Sequence, residues 1–243
     1  MTRPRILLLG AGGHGKAVAD LLLAHGGFDV AGFVDAAPKA SQVLGLPVLG
    51  DESLMGGLLG QGIRLAHPAI GDNAARLAAA GRLRAVGFVL PSLLHPSALI
   101  GRGASVADGA AVLARAVIGP EAVIGPLVLI NTGAIVEHDC VVDEAAHIGP
   151  GAVLAGGVRV GAGALIGAGA VVRPGAASVA SSAGSRSVAT TRAPSAAMAS
   201  AVARPMPWPA AVTKQSLPAN LPAMSLPLRN QWAQRARTAA MRW

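Results

Sequence analysis

The sequence predicts a small α/β domain followed by a parallel β-helix of hexapeptide repeats. An aliphatic residue recurs at every sixth position, fourteen times without a slip, from Leu94 to Val172. Ahead of this series, strand, glycine-rich turn, helix and second strand succeed one another within residues 5–35. The composition points the same way. The 243-residue chain is 52% hydrophobic with 32 Gly, yet it has no Tyr, three Phe and three Trp. Its core must be filled by Leu, Ile, Val and Ala, which suits a repetitive architecture better than an irregular globule.

Residues 5–10 (RILLLG) read as a short buried strand, and GAGGHGK (Gly10–Lys16) as a turn. Residues 16–25 read as a helix stopped by Gly26-Gly27, and residues 29–35 as a second strand, which makes a βαβ unit with a parallel sheet. Further strands are expected near Pro47–Leu49 and Ile63–Ala66, and a helix over Asn73–Arg84. These elements form a Rossmann-like domain over residues 1–92.

Neither a helix (period 3.6) nor a simple strand (period 2) produces a strict period of six. A hexapeptide β-helix does, with three hexads closing a triangular coil of about 18 residues. The aliphatic residue points inward. The fourth residue after it is small (Ala98, Ala104, Ala110 and on to Cys140 and Ala176) and fits a tight corner. Gly often follows the aliphatic residue, as at Gly101, Gly119, Gly125 and Gly149, where strained backbone angles are expected. The β-helix spans residues 93–176. Residues 177–243 form an Ala/Ser/Pro/Arg-rich tail with too little periodic apolar surface to fold alone, apart from a helix near Asn230–Met241.

Charge and cysteine content exclude several classes. Residues 1–144 net −2, whereas residues 145–243 hold ten basic residues and no acid. That excess lies mostly in the tail rather than on one face of a folded element, so nucleic-acid binding is not expected. A single Cys, Cys140, permits no intrachain disulfide and no Cys-based zinc site. No stretch approaches the ~20 apolar residues of a membrane span. A reducing, cytoplasmic location is expected.

Two motifs carry chemistry. Gly10-x-Gly12-x-x-Gly15 between strand and helix, with Asp35 ending the next strand, suits backbone amides that approach a phosphate, and an acid that accepts from a ribose or base. NAD is the obvious ligand of such a motif. An α/β segment of about 90 residues is, however, half a dinucleotide fold, so a nucleotide or nucleotide-sugar diphosphate fits better. In the β-helix, Glu137-His138-Asp139-Cys140 occupies one hexad, in which Val136 and Cys140 face inward and His138 and Asp139 outward. An outward His beside a carboxylate is a good general base. Cys140 sits in a corner and cannot pair with His138. His147, nine residues on, is not expected above His138 in the same subunit but could face a neighbour's. A two-His metal site has no third strong ligand nearby. His25, His67 and His95 are assigned no chemistry.

Several stretches are similar to one family: ILLLGAGGHGK (Ile6–Lys16), GFVD (Gly32–Asp35), IGDN (Ile70–Asn73), HPSA (His95–Ala98) and above all INTGAIVEHDCVVDEAAHIGPGAVLAGG (Ile130–Gly157). Over about residues 5–175 the chain resembles bacterial sugar acetyltransferases that join a nucleotide-binding-like domain to a left-handed β-helix. These include sialic acid O-acetyltransferases and N-acetyltransferases of UDP-4-amino sugars or GDP-perosamine. The resemblance implies His138 as general base, Asp139 as the acid that orients it, His147 near the acetyl group of acetyl-CoA, and the Gly156 N–H as oxyanion donor. It implies that Gly12, Gly13, His14, Gly15 and Lys16, with Asp35, hold the nucleotide of the acceptor. It also implies acetyl-CoA as cosubstrate, no metal, no acyl-enzyme, and a homotrimer with sites between β-helices. The expected activity is N-acetylation of a nucleotide-linked amino sugar in surface glycan synthesis. The alternatives are O-acetylation of sialic acid or a related sugar, and an inactive scaffold. Family members continue for one or two more coils where the hexads of this chain stop at Gly175 and give way to Arg/Ser/Pro-rich sequence, with only a faint echo of their ending at Thr191–Met206. A shifted reading frame in GC-rich DNA would produce such a change.

Overall fold

The computed structural model describes residues 3–174. All of the tail, including Thr191–Met206 and the helix expected at Asn230–Met241, lies outside the described residues. The first part runs β1 (Arg5–Leu9), α1 (Gly13–His25), β2 (Asp29–Val34), β3 (Gln42–Val43), β4 (Leu46–Gly50), α2 (Met55–Gly60), β5 (Leu65–Pro68) and α3 (Asn73–Val86). The sheet order is β3-β4-β2-β1-β5, with β3 alone antiparallel to its neighbour. Central β1 is covered on both faces, so Ile6, Leu7, Leu8 and Leu9 are all buried, which is why it reads as an unbroken apolar run. The chain leaves β1 towards β2 on one side and returns to β5 on the other. The carboxyl ends of β1 and β5 therefore flank a topological switch point, where open α/β sheets take their ligands.

Helix α1 starts at Gly13 rather than Lys16, because the glycine turn itself supplies the first helical turn: Gly12 is the N-cap, and its carbonyl accepts from Lys16 N at 3.1 Å. Helix α3 is capped by Asp72, whose carboxylate accepts from Ala75 N at 2.9 Å, and ends on left-handed Gly87.

Fourteen two-residue strands follow, from Leu93–Leu94 to Val171–Val172, each ending on one of the fourteen aliphatic positions. They stack as three parallel sheets, and paired residues are 18 apart, as in Leu99 with Val117 and Val117 with Ile135. The result is a left-handed β-helix of triangular section. The aliphatic residues and the small corner residues, Cys140 among them, fill its interior.

The corners differ from expectation in one respect. The glycines after the aliphatic positions are there because the next coil passes too close for a side chain. A Cβ on Gly119 would lie 2.6 Å from His138 N, and one on Gly149 would lie 2.7 Å from Ile166 O. The left-handed residue comes two positions later, at every corner from Gly103 to Gly169, and five of these residues are not glycine: Arg115, Glu121, Leu127, Asp139 and Ala145.

The three faces are unequal. On the first, Leu93, Ala111 and Leu129 are buried beneath α1, in one cluster with Val18 and Leu22, and His147 and Leu165 continue the row half-buried. The second presents an aliphatic row, Leu99, Val117, Ile135, Val153 and Val171, that is partly or fully exposed. The third carries Ser105, Val123, Val141 and Arg159. Among the described residues, no helix is long and apolar enough to cross a membrane.

Because Ile148 is fully buried in the prism, Ile148→Ala should cost about 2–5 kcal/mol in denaturant unfolding. The exposed Val123→Ala should stay within about 0.5 kcal/mol. Equal losses for the two would contradict an interior carried by the aliphatic ladders.

Candidate functional site

One cluster sits on the corner between the second and third faces. Val136 and Cys140 are buried inside it, and Glu137, His138 and Asp139 are exposed. Asp139 adopts the left-handed corner conformation (φ 59°), and its Oδ2 lies 2.7 Å from His138 Nδ1. A carboxylate only accepts, so Nδ1 carries the proton and Nε2 keeps a free lone pair. Gly156 is 18 residues beyond His138, one coil further at the same corner. A Cβ there would lie 2.5 Å from both Cε1 and Nε2 of His138, so the imidazole reaches across Gly156. The Gly156 N–H has no hydrogen-bond partner among the described residues. This corner position generally leaves its amide unpaired, which is why Pro120, Pro126 and Pro150 are tolerated there. Burial pushes the Cys140 thiol pKa up, and its Sγ donates to Ala155 O at 3.2 Å, so it packs rather than reacts.

A second cluster lies where the first face meets the α/β domain. His147 Nε2 is 3.1 Å from Asn131 Nδ2, and Asn131 Oδ1 accepts from Thr132 N at 2.8 Å. The Thr132 amide orients the Asn131 side chain, so Nδ2 donates to Nε2 and the neutral His147 ring carries its proton on Nδ1. His14, in the first turn of α1, has a buried Nε2 without a partner, and His67, within β5, has neither ring nitrogen hydrogen-bonded. Arg76 of α3 lies among them, 1% exposed. Burial, reinforced by the Arg76 cation, lowers His147 to a pKa of about 4. Burial, then Arg76 and His147, lowers His14 to about 4. Burial, then His14 and Arg76, lowers His67 to about 3, against a smaller opposing pull from the Pro91 backbone. Burial lowers Arg76 to about 10, opposed by Asp72, so it remains charged at neutral pH. Three neutral imidazoles thus share a surrounding with one buried cation.

The glycine turn borders this cluster. Asp35 holds it in shape, with Oδ2 accepting from Ala11 N at 2.7 Å and Oδ1 from Ala37 N at 2.9 Å. Part of its accepting capacity is therefore spent on the protein itself. Gly15 must be glycine because a Cβ would run into the Gly10 carbonyl. Gly12 and Gly13 instead face open space, since a Cβ on either would meet nothing within 4 Å. The first turn of α1 has no acid and no side-chain cap, and Lys16 is exposed beside it. Free amides, a helix N-terminus and an ammonium together favour an anionic group.

The structure brings His138, Asp139 and Gly156 together, and places His147 with His14 near the turn. It does not unite the two groups. The corner bearing His138 is opposite the face bearing His147, and no hydrogen bond or ion pair joins His138 or Asp139 to His147. Sequence reasoning passed over Asn131, Asn73, Arg76 and His67. Arg76 had a legible signal: it shares a buried helical stripe with Ala79, Ala80 and Leu83, where a cation is out of place. Gly156, expected from the family resemblance, also lies one coil length beyond His138. Among the described residues, no group of three or more His, Cys, Asp or Glu could hold a metal ion.

Residues 5–83 match the family described as PglD N-terminal domain, and residues 139–174 match Bacterial transferase hexapeptide (six repeats). Comparison with curated proteins gives no match. Among solved structures, a mutant perosamine N-acetyltransferase from Caulobacter crescentus, in complex with CoA and GDP-perosamine, is 39% identical. That alignment covers 69% of this chain and 88% of the other, with a TM-score of 0.65. The acetyltransferase domain of PglB from Neisseria gonorrhoeae, in complex with acetyl coenzyme A, is 36% identical over 71% of this chain and 83% of that one, also with a TM-score of 0.65. WeeI from Acinetobacter baumannii, 21% identical with a TM-score of 0.54, shares the fold.

The histidine cluster makes stability depend on pH. Unfolded, each of these histidines takes up a proton near pH 6.5, whereas in the folded chain His14 and His147 resist until about pH 4 and His67 until about pH 3. Below pH 6.5 the unfolded state therefore binds more protons, and stability falls as the pH drops towards 4. The thermal midpoint should be lower at pH 5 than at pH 7; a flat profile across that interval would refute the buried neutral cluster.

Proposed function

Because the chain belongs to the family of bacterial hexapeptide-repeat N-acetyltransferases that includes perosamine N-acetyltransferase and the acetyltransferase domain of PglB, we propose that it moves the acetyl group of acetyl-CoA onto the amine of a nucleotide-linked amino sugar. The observation that carries this reading is the 2.7 Å His138–Asp139 pair lying over Gly156. As the amine attacks the thioester carbonyl, a C–N bond forms and His138 Nε2 takes the proton, while Asp139 stabilises the imidazolium. The unpaired Gly156 N–H meets the developing oxyanion, a contribution worth roughly 10²–10³ in rate where one such donor has been removed. The C–S bond then breaks, the His138 imidazolium returns the proton to the leaving sulfur, and CoA departs as the thiol with His138 neutral again. His147, neutral and fixed by Asn131, faces the acetyl end of acetyl-CoA. The glycine turn, with Gly12, Gly13, His14, Gly15 and Lys16, takes the diphosphate, and Asp35 keeps that turn in place.

In this reading residues 1–92 hold the acceptor, residues 93–176 carry out the transfer, and the enzyme works in the cytoplasm. One chain does not make a complete site, because His138 and His147 lie on opposite sides of the prism. A homotrimer resolves this by bringing the His138 corner of one copy to the His147 face of the next. The aliphatic row of the second face, which ends at the His138 corner and leaves Leu99 66% exposed, supports such packing.

His138→Ala should lower kcat by about 10²–10⁴ with an unchanged thermal midpoint, read by thiol release from acetyl-CoA with GDP-perosamine and UDP-4-amino sugars. Near-normal turnover would reject the assignment. Gly156→Ala should likewise lose kcat, because the added methyl displaces the imidazole. Co-expressing His138→Ala with His147→Ala tests the shared site: if adjacent copies supply the two histidines, randomly mixed trimers recover roughly a quarter of wild-type activity. No recovery would mean each site lies within one chain.

A further inference from the structure

Arg76 is the largest fully buried side chain among the described residues, and no carboxylate there lies within ion-pair distance of it. Its donors go to backbone instead. Nε donates to Leu127 O at 2.9 Å, and Nη2 to Ala145 O at 2.9 Å and Ala146 O at 3.3 Å. Nη1 donates to Ile70 O at 3.2 Å and Gly71 O at 3.0 Å. Asn73, one helical turn earlier, accepts from Nη2 at 2.9 Å and donates through Nδ2 to Gly163 O at 2.9 Å and Ala164 O at 3.1 Å. Leu127, Ala145 and Gly163 are 18 residues apart, the same corner of three successive coils. Ala145 and Ala146 lead directly into His147, and a Cβ on Gly71 would rest 3.7 Å from His14 Cβ. One guanidinium therefore touches the backbone beside His14 and the backbone beside His147.

Stability is a poor reason for this arrangement. A buried cation carries a large desolvation penalty, against which its hydrogen bonds must be set. What the guanidinium offers is a rigid planar fork that fits several acceptors in one geometry only. We propose that Arg76, braced by Asn73, is a positioning residue for acetyl transfer, setting the acceptor-binding turn and His147 at a fixed separation across the boundary between the α/β domain and the β-helix. The inference rests on the acetyltransferase reading above. The same cation also disfavours protonation of the imidazoles around it. Arg76 from α3, His14 from α1 and Asn131 from the coil face His147, while His67 from β5 faces His14, and among the described residues Asp72 opposes the positive charge.

The test uses the full-length chain with Arg76→Met, Arg76→Lys and Asn73→Ala. It reads the thermal midpoint, kcat and KM for acetyl-CoA and GDP-perosamine, and the His147 titration by NMR of 15N-histidine, assigned with His147→Asn. Arg76→Met should fold, lose about tenfold or more in kcat with little change in KM for acetyl-CoA, and let His147 titrate at higher pH. Arg76→Lys keeps the charge but not the fork, so kcat should fall while His147 titrates as in the wild type. Unchanged kcat and an unchanged His147 titration in folded Arg76→Met would overturn the proposal. If that variant does not fold, Asn73→Ala decides: it removes the bonds to Gly163 and Ala164, and wild-type kcat there overturns the proposal equally. Should wild-type protein acetylate no amino sugar, the functional reading fails, and the His147 titration still reports whether Arg76 governs that ring.

Discussion

The coil length of 18 residues is the constraint on which the molecule depends. Each hexad buries one aliphatic and one small side chain, and inter-coil hydrogen bonds lock equivalent residues at the same corner of successive coils. Nothing in such a stack can slide independently, since shifting one coil by a residue would turn its aliphatic side chains out of the prism. That rigidity places Gly156 against the His138 ring, and it stacks the Leu127, Ala145 and Gly163 carbonyls into a row that one helix can grip. The functional geometry is a consequence of coil arithmetic together with the few side chains that depart from it.

Those departures fall into two electrostatic classes. His138 and Asp139 are exposed to solvent and paired with each other. His14, His67 and His147 are shielded from water beside a buried cation, so their neutral forms are favoured near neutral pH. One class suits proton transfer and the other suits hydrogen bonding from a ring of fixed charge. The two occupy opposite sides of a rigid prism, so within one chain they do not meet.

Much of this was legible in the chain. The fourteen aliphatic positions each end a strand, and β1, a glycine turn, a helix and β2 succeed one another in the order read, though the helix starts at Gly13. The short β3 and the six-residue α2, with three glycines, were not legible, because neither is long enough to show a period. Glycine after the aliphatic residue was recognised, but its cause was misassigned. The limit there is the backbone of the coil above, not a left-handed φ. The roles of Arg76 and Asn73 were not legible, since acceptors such as Leu127 and Gly163 lie some 50–90 residues away along the chain.

By itself the sequence determined the repeat, the inward and outward residues of each hexad, and the adjacency of His138 to Asp139, because these follow from a local period and from neighbouring positions. Tertiary structure alone decided which face the α/β domain covers, which histidines are kept neutral, and that Arg76 spans the two halves. Burial and long-range hydrogen bonding depend on which surfaces meet, and a side chain carries no mark of that until the chain has folded around it.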